Sequence, residues 1–314
     1  MPERYLITGG NGNLARQLAL TLTGDDRMIL LLDISAPVSE TPEGCEFMKG
    51  DIASPSCIQD VFDRYRPTHV LHMASMLSGS SENNRQRAWH VNATASIDLL
   101  ELSLATGVLC FFFPSTAATY GSDPEDPLPE DFPQWPENFY GVTKVAVERA
   151  GCYFHMKKGL NFRSLRLPFV ISRYAPSGAL TAYASHAFLN AAAGNPFAFP
   201  VRENTAVSSI YVKDVLAGIE KFMRAPDERL TRRVYNLHGC SPSANDIASA
   251  IKSRVPEFEY SFEPHPDVVR LTDAMPEVLK DGSARNDWGW GPEYDLQRMA
   301  DDLLLELRGT QINP

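Results

Sequence analysis

The sequence predicts an α/β protein, a doubly wound parallel sheet with a smaller C-terminal lobe. Three observations predict it. Short β-branched or aromatic runs alternate with amphipathic stretches through the first half, the pattern of strands joined by crossover helices. One run, Val108–Phe113, is apolar almost throughout, as a central strand buried on both faces must be. After Pro168 the alternation breaks up into stretches dense in Gly, Pro and Ala, which marks a change of architecture.

In chain order, the strands read from this pattern are Tyr5–Thr8, Met28–Asp33, Phe47–Gly50, Thr68–Met73, Val108–Pro114 and Asn161–Leu167. The helices are Leu14–Thr23, Cys57–Tyr65, Trp89–Thr106 and Phe139–Lys157. Right-handed crossovers then place helices on both faces of one sheet. The helix Asp214–Met223 and the strand Val234–Leu237 read as returns to that sheet. The expected division is therefore a first domain over 1–168, with returns at about 206–240. A smaller lobe takes 169–205 and 241–314.

Bulk composition narrows the function classes. The chain has 314 residues, long enough for a sizeable core, with 44% hydrophobic and 22% charged residues. Its formal net charge is −10, from 39 acidic and 29 basic residues, which argues against nonspecific nucleic-acid binding. A small anion remains possible, because backbone N–H groups bind one without net positive charge. Cys45, Cys57, Cys110, Cys152 and Cys240 are scattered singly and show no metal-ligand spacing, so they read as reduced thiols and no metal is expected. The apolar runs are too short to span a bilayer, and the N-terminus leads straight into a strand. A soluble, cytoplasmic protein is the expectation.

The first βα turn reads Thr8-Gly9-Gly10-Asn11-Gly12-Asn13-Leu14-Ala15. Gly9 permits the tight turn, and Gly12 lets the backbone approach a pyrophosphate where Asn13 and Leu14 open the helix. Ala15 keeps helix and strand close. Asp33 ends the second strand about 20 residues on, where an acid accepts hydrogen bonds from the adenosine ribose hydroxyls. No arginine follows in Ile34-Ser35-Ala36, so the turn favours NAD over NADP. Asp51 and Ile52 follow the third strand, where they can close over the adenine. This combination specifies a Rossmann-type sheet.

The chemistry lies elsewhere. Tyr140 and Lys144, four apart on a helix, stand one above the other. A phenol is a poor base at neutral pH until a nearby ammonium stabilises its anion, and that is the pairing expected here. Ser115 and Thr116 stand at the end of the buried strand, 24 residues before Tyr140 in the case of the latter, at the carboxyl edge where open α/β sheets bind ligands.

These features together resemble the extended short-chain dehydrogenases, the group of the nucleotide-sugar epimerases and dehydratases. The glycine turn, Asp33, His72-Met73-Ala74, Phe113 to Ala117 and Tyr140 to Lys144 carry the resemblance. It implies that Tyr140, Lys144 and Thr116 are catalytic, with Ser115 beside Thr116. It also implies that Met73, Ala74, Ser75, Asn92, Tyr140, Lys144 and Pro168 join the glycine loop in holding NAD. Its sugar-nucleotide members usually carry an asparagine after the sixth strand and an arginine that grips the diphosphate. This chain has Phe169 and the uncharged run Ala206 to Ser209 there.

In detail the sequence is similar to the epimerase-like L-threonine 3-dehydrogenases. His72 to Ser78, Ile210 to Asp214 and the tail from Asp281 to Leu296 match that subgroup. This implies oxidation of the 3-hydroxyl of an L-3-hydroxy-2-amino acid, with Ser78, Ser115, Thr116, Tyr140, Gly178 and Thr181 against the substrate. The subgroup's Gly-Gly-Gly-Thr-Thr-Asp-Tyr-Ala loop reads Ser177-Gly178-Ala179-Leu180-Thr181-Ala182-Tyr183-Ala184 here, so a bulkier amino acid such as phenylserine competes with threonine. A nucleotide-sugar 4-epimerase or dehydratase with tightly bound NAD is the alternative, and a non-catalytic NAD sensor the third reading. The helices Trp89–Thr106 and Phe139–Lys157 carry more apolar positions than one sheet face covers, and the resemblance implies a homodimer through a four-helix bundle.

Overall fold

The computed structural model describes residues 2–24, 26–37, 40–121, 124–175 and 182–310. Seven parallel strands form the main sheet: β1 (Glu3–Thr8), β2 (Arg27–Asp33), β3 (Cys45–Lys49), β4 (His69–His72), β5 (Cys110–Thr116), β6 (Phe162–Leu167) and β10 (Val234–Asn236), in the order β10-β6-β5-β4-β1-β2-β3. The chain starts at β1, winds outward through β2 and β3, then returns to β4 and winds the other way. That reversal opens a crevice between the carboxyl ends of β1 and β4.

Strand residues alternate between the two faces, so each run feeds two cores. Ile7, Leu31, Leu71, Phe112 and Leu165 face one apolar cluster. Leu6, Leu30, Val70, Phe111, Phe113 and Phe162 face the other. The predicted central strand is β5, whose Phe111, Phe112 and Phe113 are fully buried. Each such ring contributes on the order of 1.5–3 kcal/mol relative to leaving it in water.

The second cluster is covered by α2 (Pro55–Tyr65), α5 (Ala95–Thr106) and α6 (Phe139–Lys158). Local chemistry sets their ends. Ser54 caps α2 by accepting the Cys57 N–H, with Pro55 at the first helical position. Asn138 caps α6 by accepting the Gly141 N–H, and Gly159 at φ 78° ends it.

One expected helix, Trp89–Thr106, is built differently. A short helix α3 (Ser78–Asn83) precedes α4 (Arg85–Trp89), which begins where the Asn84 side chain accepts the Arg87 N–H. A π-helical turn at His90–Thr94 then leads into α5. Periodicity hides such a turn, because one extra residue shifts the phase of the apolar stripe rather than ending it.

The first cluster is covered by α1 (Asn13–Leu22) and α8 (Val212–Arg224), and it runs on without a break into the C-terminal region. There β7 (Phe169–Ile171) pairs with β9 (Ser209–Tyr211), and β8 (Phe197–Phe199) with β11 (Tyr260–Phe262). Helices α7 (Tyr183–Ala192), α9 (Ala244–Lys252), α10 (Pro266–Asp273), α11 (Gly282–Trp288) and α12 (Leu296–Thr310) complete it. Trp288 and Trp290 are core residues of this region, and the Trp290 indole donates to Asp281. Among the described residues no helix is long and apolar enough to cross a membrane.

Candidate active site

The crevice beyond β1 and β4 has a volume of about 920 Å³. At one end lies the glycine turn. Gly9 adopts φ +67°, and a Cβ there would stand 2.8 Å from the Ala74 backbone, so the turn and the β4 end touch only because this residue is glycine. The Gly12 N–H bonds the Gly9 carbonyl at 2.8 Å. Gly12 is also the N-cap of α1, and no side chain caps that helix. The amides of Asn13, Leu14 and Ala15 therefore open the helix without an intrahelical or side-chain acceptor, which suits a diphosphate. The Asn13 side chain turns away from them, donating to Ser172 Oγ at 3.2 Å and accepting from Gln17 at 2.5 Å.

Asp33 completes this end. Its carboxylate accepts the Asn11 N–H at 3.0 Å and the Ser35 N–H and hydroxyl at 3.0 and 2.8 Å. Burial alone would raise its pKa, but the hydrogen bonds from Ser35 and Asn11 hold it below the ordinary value. The acid stays ionised and aimed along the rim, with lone pairs left for a diol. Asp51 and Ile52 line the same wall.

At the other end α6 presents Tyr140 and Lys144 to the crevice, and β5 presents Ser115 and Thr116. The Lys144 ammonium donates to the Pro114 carbonyl at 2.7 Å and lies 4.2 Å from the centre of the Phe113 ring and 5.4 Å from that of Tyr140. Burial pushes its pKa down to about 7, with Glu148 acting in opposition. Burial pushes the Tyr140 phenol up to about 12. The sequence led us to expect a phenol lowered by its lysine. The structure shows the opposite direction, because desolvation dominates and the amine is engaged by the Pro114 carbonyl and the Phe113 ring. Thr116 Oγ1 accepts the Ala118 N–H at 3.2 Å and keeps its proton for another acceptor. Ser115 is committed: its hydroxyl donates to the buried Glu148 carboxylate.

One crevice thus gathers Gly9, Gly12, Asn13, Leu14, Asp33, Asp51, Ile52, Met73, Ala74, Ser75, Ser115, Thr116, Tyr140, Lys144 and Pro168. Asn92 is not in its wall. It sits buried in the π turn, bonded to both backbone polar atoms of Met76 and to the Thr143 hydroxyl. Ser78 is exposed in the first turn of α3, outside the lining, and Gly178 and Thr181 lie outside the described residues.

Sequence reasoning missed Arg87, which lines the crevice from α4 with an exposed guanidinium that engages no described residue in a hydrogen bond or ion pair. It gave His72 no role beyond the resemblance; the residue is buried between Thr8 and Ser96 at 2.7 and 2.8 Å. Burial and the nearby Lys144 charge hold that imidazole neutral, its pKa down to about 3. Glu148 was findable as the next residue on the face that holds Tyr140 and Lys144.

A dinucleotide turn at one end of a crevice and a tyrosine, lysine and threonine at the other define an NAD-dependent enzyme of the dehydrogenase type. Residues 5–237 match the family described as the NAD dependent epimerase/dehydratase family, and the chain belongs to it. It is 33% identical to the mitochondrial L-threonine 3-dehydrogenase of Bos taurus over 307 residues, 96% of this chain and 82% of that one. Among solved structures it is similar to a GalE-like L-threonine dehydrogenase from Cupriavidus necator in its holo form, at a TM-score of 0.91 and 30% identity, covering 97% and 99% of the two chains. A monomeric L-threonine 3-dehydrogenase from a metagenome matches at a TM-score of 0.90 and 28% identity, covering 98% and 99%.

Proposed function

We propose that this enzyme oxidises the 3-hydroxyl of an L-3-hydroxy-2-amino acid to a ketone. The observation that carries the reading is the convergence of Tyr140, Lys144 and Thr116 at the end of a crevice whose other end is a dinucleotide turn. The L-threonine dehydrogenases among its relatives support the substrate class.

Uncapped α1 amides would hold the diphosphate and Asp33 the adenosine ribose. The acid, with no cation beside it, favours NAD over NADP. NAD⁺ supplies a hydride acceptor at the carbon that carries the hydroxyl. Thr116 holds the substrate oxygen, and Tyr140 as phenolate removes its proton. Lys144 stabilises that phenolate by its positive charge, to which a bound nicotinamide would add its own. The hydroxyl carbon loses one hydride and its oxygen one proton, which leaves the ketone. With threonine the product is 2-amino-3-oxobutyrate. Leu180 and Ala182 replace a threonine and an aspartate of the subgroup's loop, which widens the candidates to bulkier analogues such as phenylserine.

The test is NAD⁺ reduction followed at 340 nm with threonine, phenylserine, serine and nucleotide sugars. Turnover with a hydroxy amino acid is expected. Conversion of a sugar nucleotide without net reduction, or no turnover with any amino acid, overturns the reading.

A homodimer through α5 and α6 belongs to the same proposal. Met156 and Tyr153 on α6 are 71% and 51% exposed, and Trp89 at the entry to α5 is 44% exposed. Light scattering that gives a monomer mass removes it. The five cysteines, all free, fit a reducing compartment such as the cytoplasm.

A further inference from the structure

One turn beyond the reacting pair, α6 carries a third polar residue. Tyr140, Lys144 and Glu148 stand at intervals of four and share one helix face. Glu148 is only 1% exposed, yet its carboxylate is engaged on every side. Arg166 of β6 holds it in bidentate fashion, with Nη2 at 2.7 Å and Nε at 3.0 and 3.2 Å from its oxygens. The Ser115 hydroxyl of β5 and the Gln134 amide, at 3.0 Å, donate to it as well. Arg166 extends the network to Tyr120 Oη at 2.6 Å, which donates to Asn236 Oδ1 at 2.6 Å.

Stability is a poor reason for such a network. Two buried charges give up their hydration, and a well-packed apolar pair of the same volume holds a fold as well or better. The surroundings of Lys144 suggest another. From β5 the ammonium meets the Pro114 carbonyl and the Phe113 ring. From β4, His72 stacks on that ring at 5.9 Å and is neutral. From its own helix Lys144 meets Tyr140 above and Glu148 below, with Cys152 a further turn beyond. Arg166 is held by the same carboxylate from β6. Among the described residues Glu148 is the anion whose charge acts on the amine.

We propose that Glu148 is a positioning residue, its carboxylate fixed by Arg166 and Ser115 so that the Lys144 amine stays charged beside Tyr140. The Arg166–Glu148 pair then works as an oriented dipole with its negative end toward the lysine. Ser115 serves as a ligand of this carboxylate and leaves the substrate oxygen to Thr116. The inference rests on the reading that Tyr140 and Lys144 carry the reaction, since an amine that loses its proton near neutrality no longer favours a phenolate.

Competitive acetylation with acetic anhydride across pH, quantified on the Lys144 peptide by mass spectrometry, gives the protonation midpoint of this amine without any turnover. Glu148→Gln is expected to lower the midpoint by about one unit, a tenfold loss of the charged form at fixed pH. The alkaline limb of kcat/KM moves down with it, and Glu148→Asp retains both. Because Glu148→Gln leaves Arg166 buried without a counter-charge, the double variant Glu148→Gln/Arg166→Gln is the companion. It is expected to show a smaller shift in the same direction.

An unmoved midpoint in either folded variant overturns the proposal. So does a double variant restored to the wild-type profile, which would assign the effect to the broken pair. Failure of both to fold would assign the carboxylate to stability alone and also counts against it. A midpoint shifted as expected in a protein that oxidises no hydroxy amino acid would sink the substrate reading and leave the role of Glu148 standing.

Discussion

The two ends of the crevice are built on opposite principles. At the end proposed for the dinucleotide the groups on offer are main-chain amides, positioned by the φ of Gly9, the close approach of Ala74 and the uncapped start of α1, with one ionised acid at the rim. At the chemical end they are side chains with displaced protonation, a phenol pushed up to about 12 and an amine pushed down to about 7. Holding a dinucleotide asks for shape, which backbone geometry supplies and few side-chain changes disturb. Moving a proton asks for charge in a dry place, which neighbours must hold there.

The sharpest way to separate the ends is Tyr140→Phe. Turnover is expected to fall on the order of 10³-fold, in line with loss of a positioned base, while NADH affinity by fluorescence titration changes less than about threefold. Substantial residual turnover would hand the proton to another group. Next in size is the pH dependence that the raised phenol imposes. Only its unprotonated form accepts a proton, and that fraction grows about tenfold per unit below the working pKa. We expect kcat/KM for oxidation to rise up to about tenfold per unit while the Lys144 amine keeps its charge and to stop rising above about pH 7, where that amine discharges, with no such rise for ketone reduction. A flat oxidation profile excludes Tyr140 as the base. At the other end, Asp33→Ala is expected to weaken NADH binding about 10- to 100-fold, the cost of removing hydrogen bonds to a charged acceptor, with far-UV circular dichroism unchanged. An unchanged affinity removes Asp33 from the ribose site. Smallest is Arg87→Leu, expected to weaken NADH two- to fivefold at low salt and not at all near 0.5 M salt, because an exposed cation is screened. A salt-independent effect would mean that Arg87 acts by packing.

The same contrast explains what could be read from the sequence. The sheet, its order of helices and strands and the glycine turn were legible, because alternation sorts Phe111, Phe112 and Phe113 to two faces and glycine spacing fixes the turn. Tyr140, Lys144 and Thr116 were legible as residues but not as charges: nothing in a four-residue spacing tells how dry the pocket is. Partners distant in the chain stayed hidden, as Ser115 and Glu148, 33 residues apart, show. Asn92 was expected at the cofactor only from the family resemblance, but the π turn directs its amide to Met76 and Thr143 instead of the crevice. The loop expected to meet the substrate, with Gly178 and Thr181, follows no periodic pattern and lies outside the described residues.

The unbroken apolar cluster beneath α1 and α8 bears on how such enzymes can be re-engineered. Leu18 and Ala19 of α1 and Phe222 of α8 share their packing with Phe188, Phe199 and Leu303. Cutting the chain after residue 168 would strip that seam and leave a greasy, aggregation-prone face, so the first half cannot be borrowed as a free-standing module. New specificity has to be grafted at the loops around the mouth, with the seam left untouched.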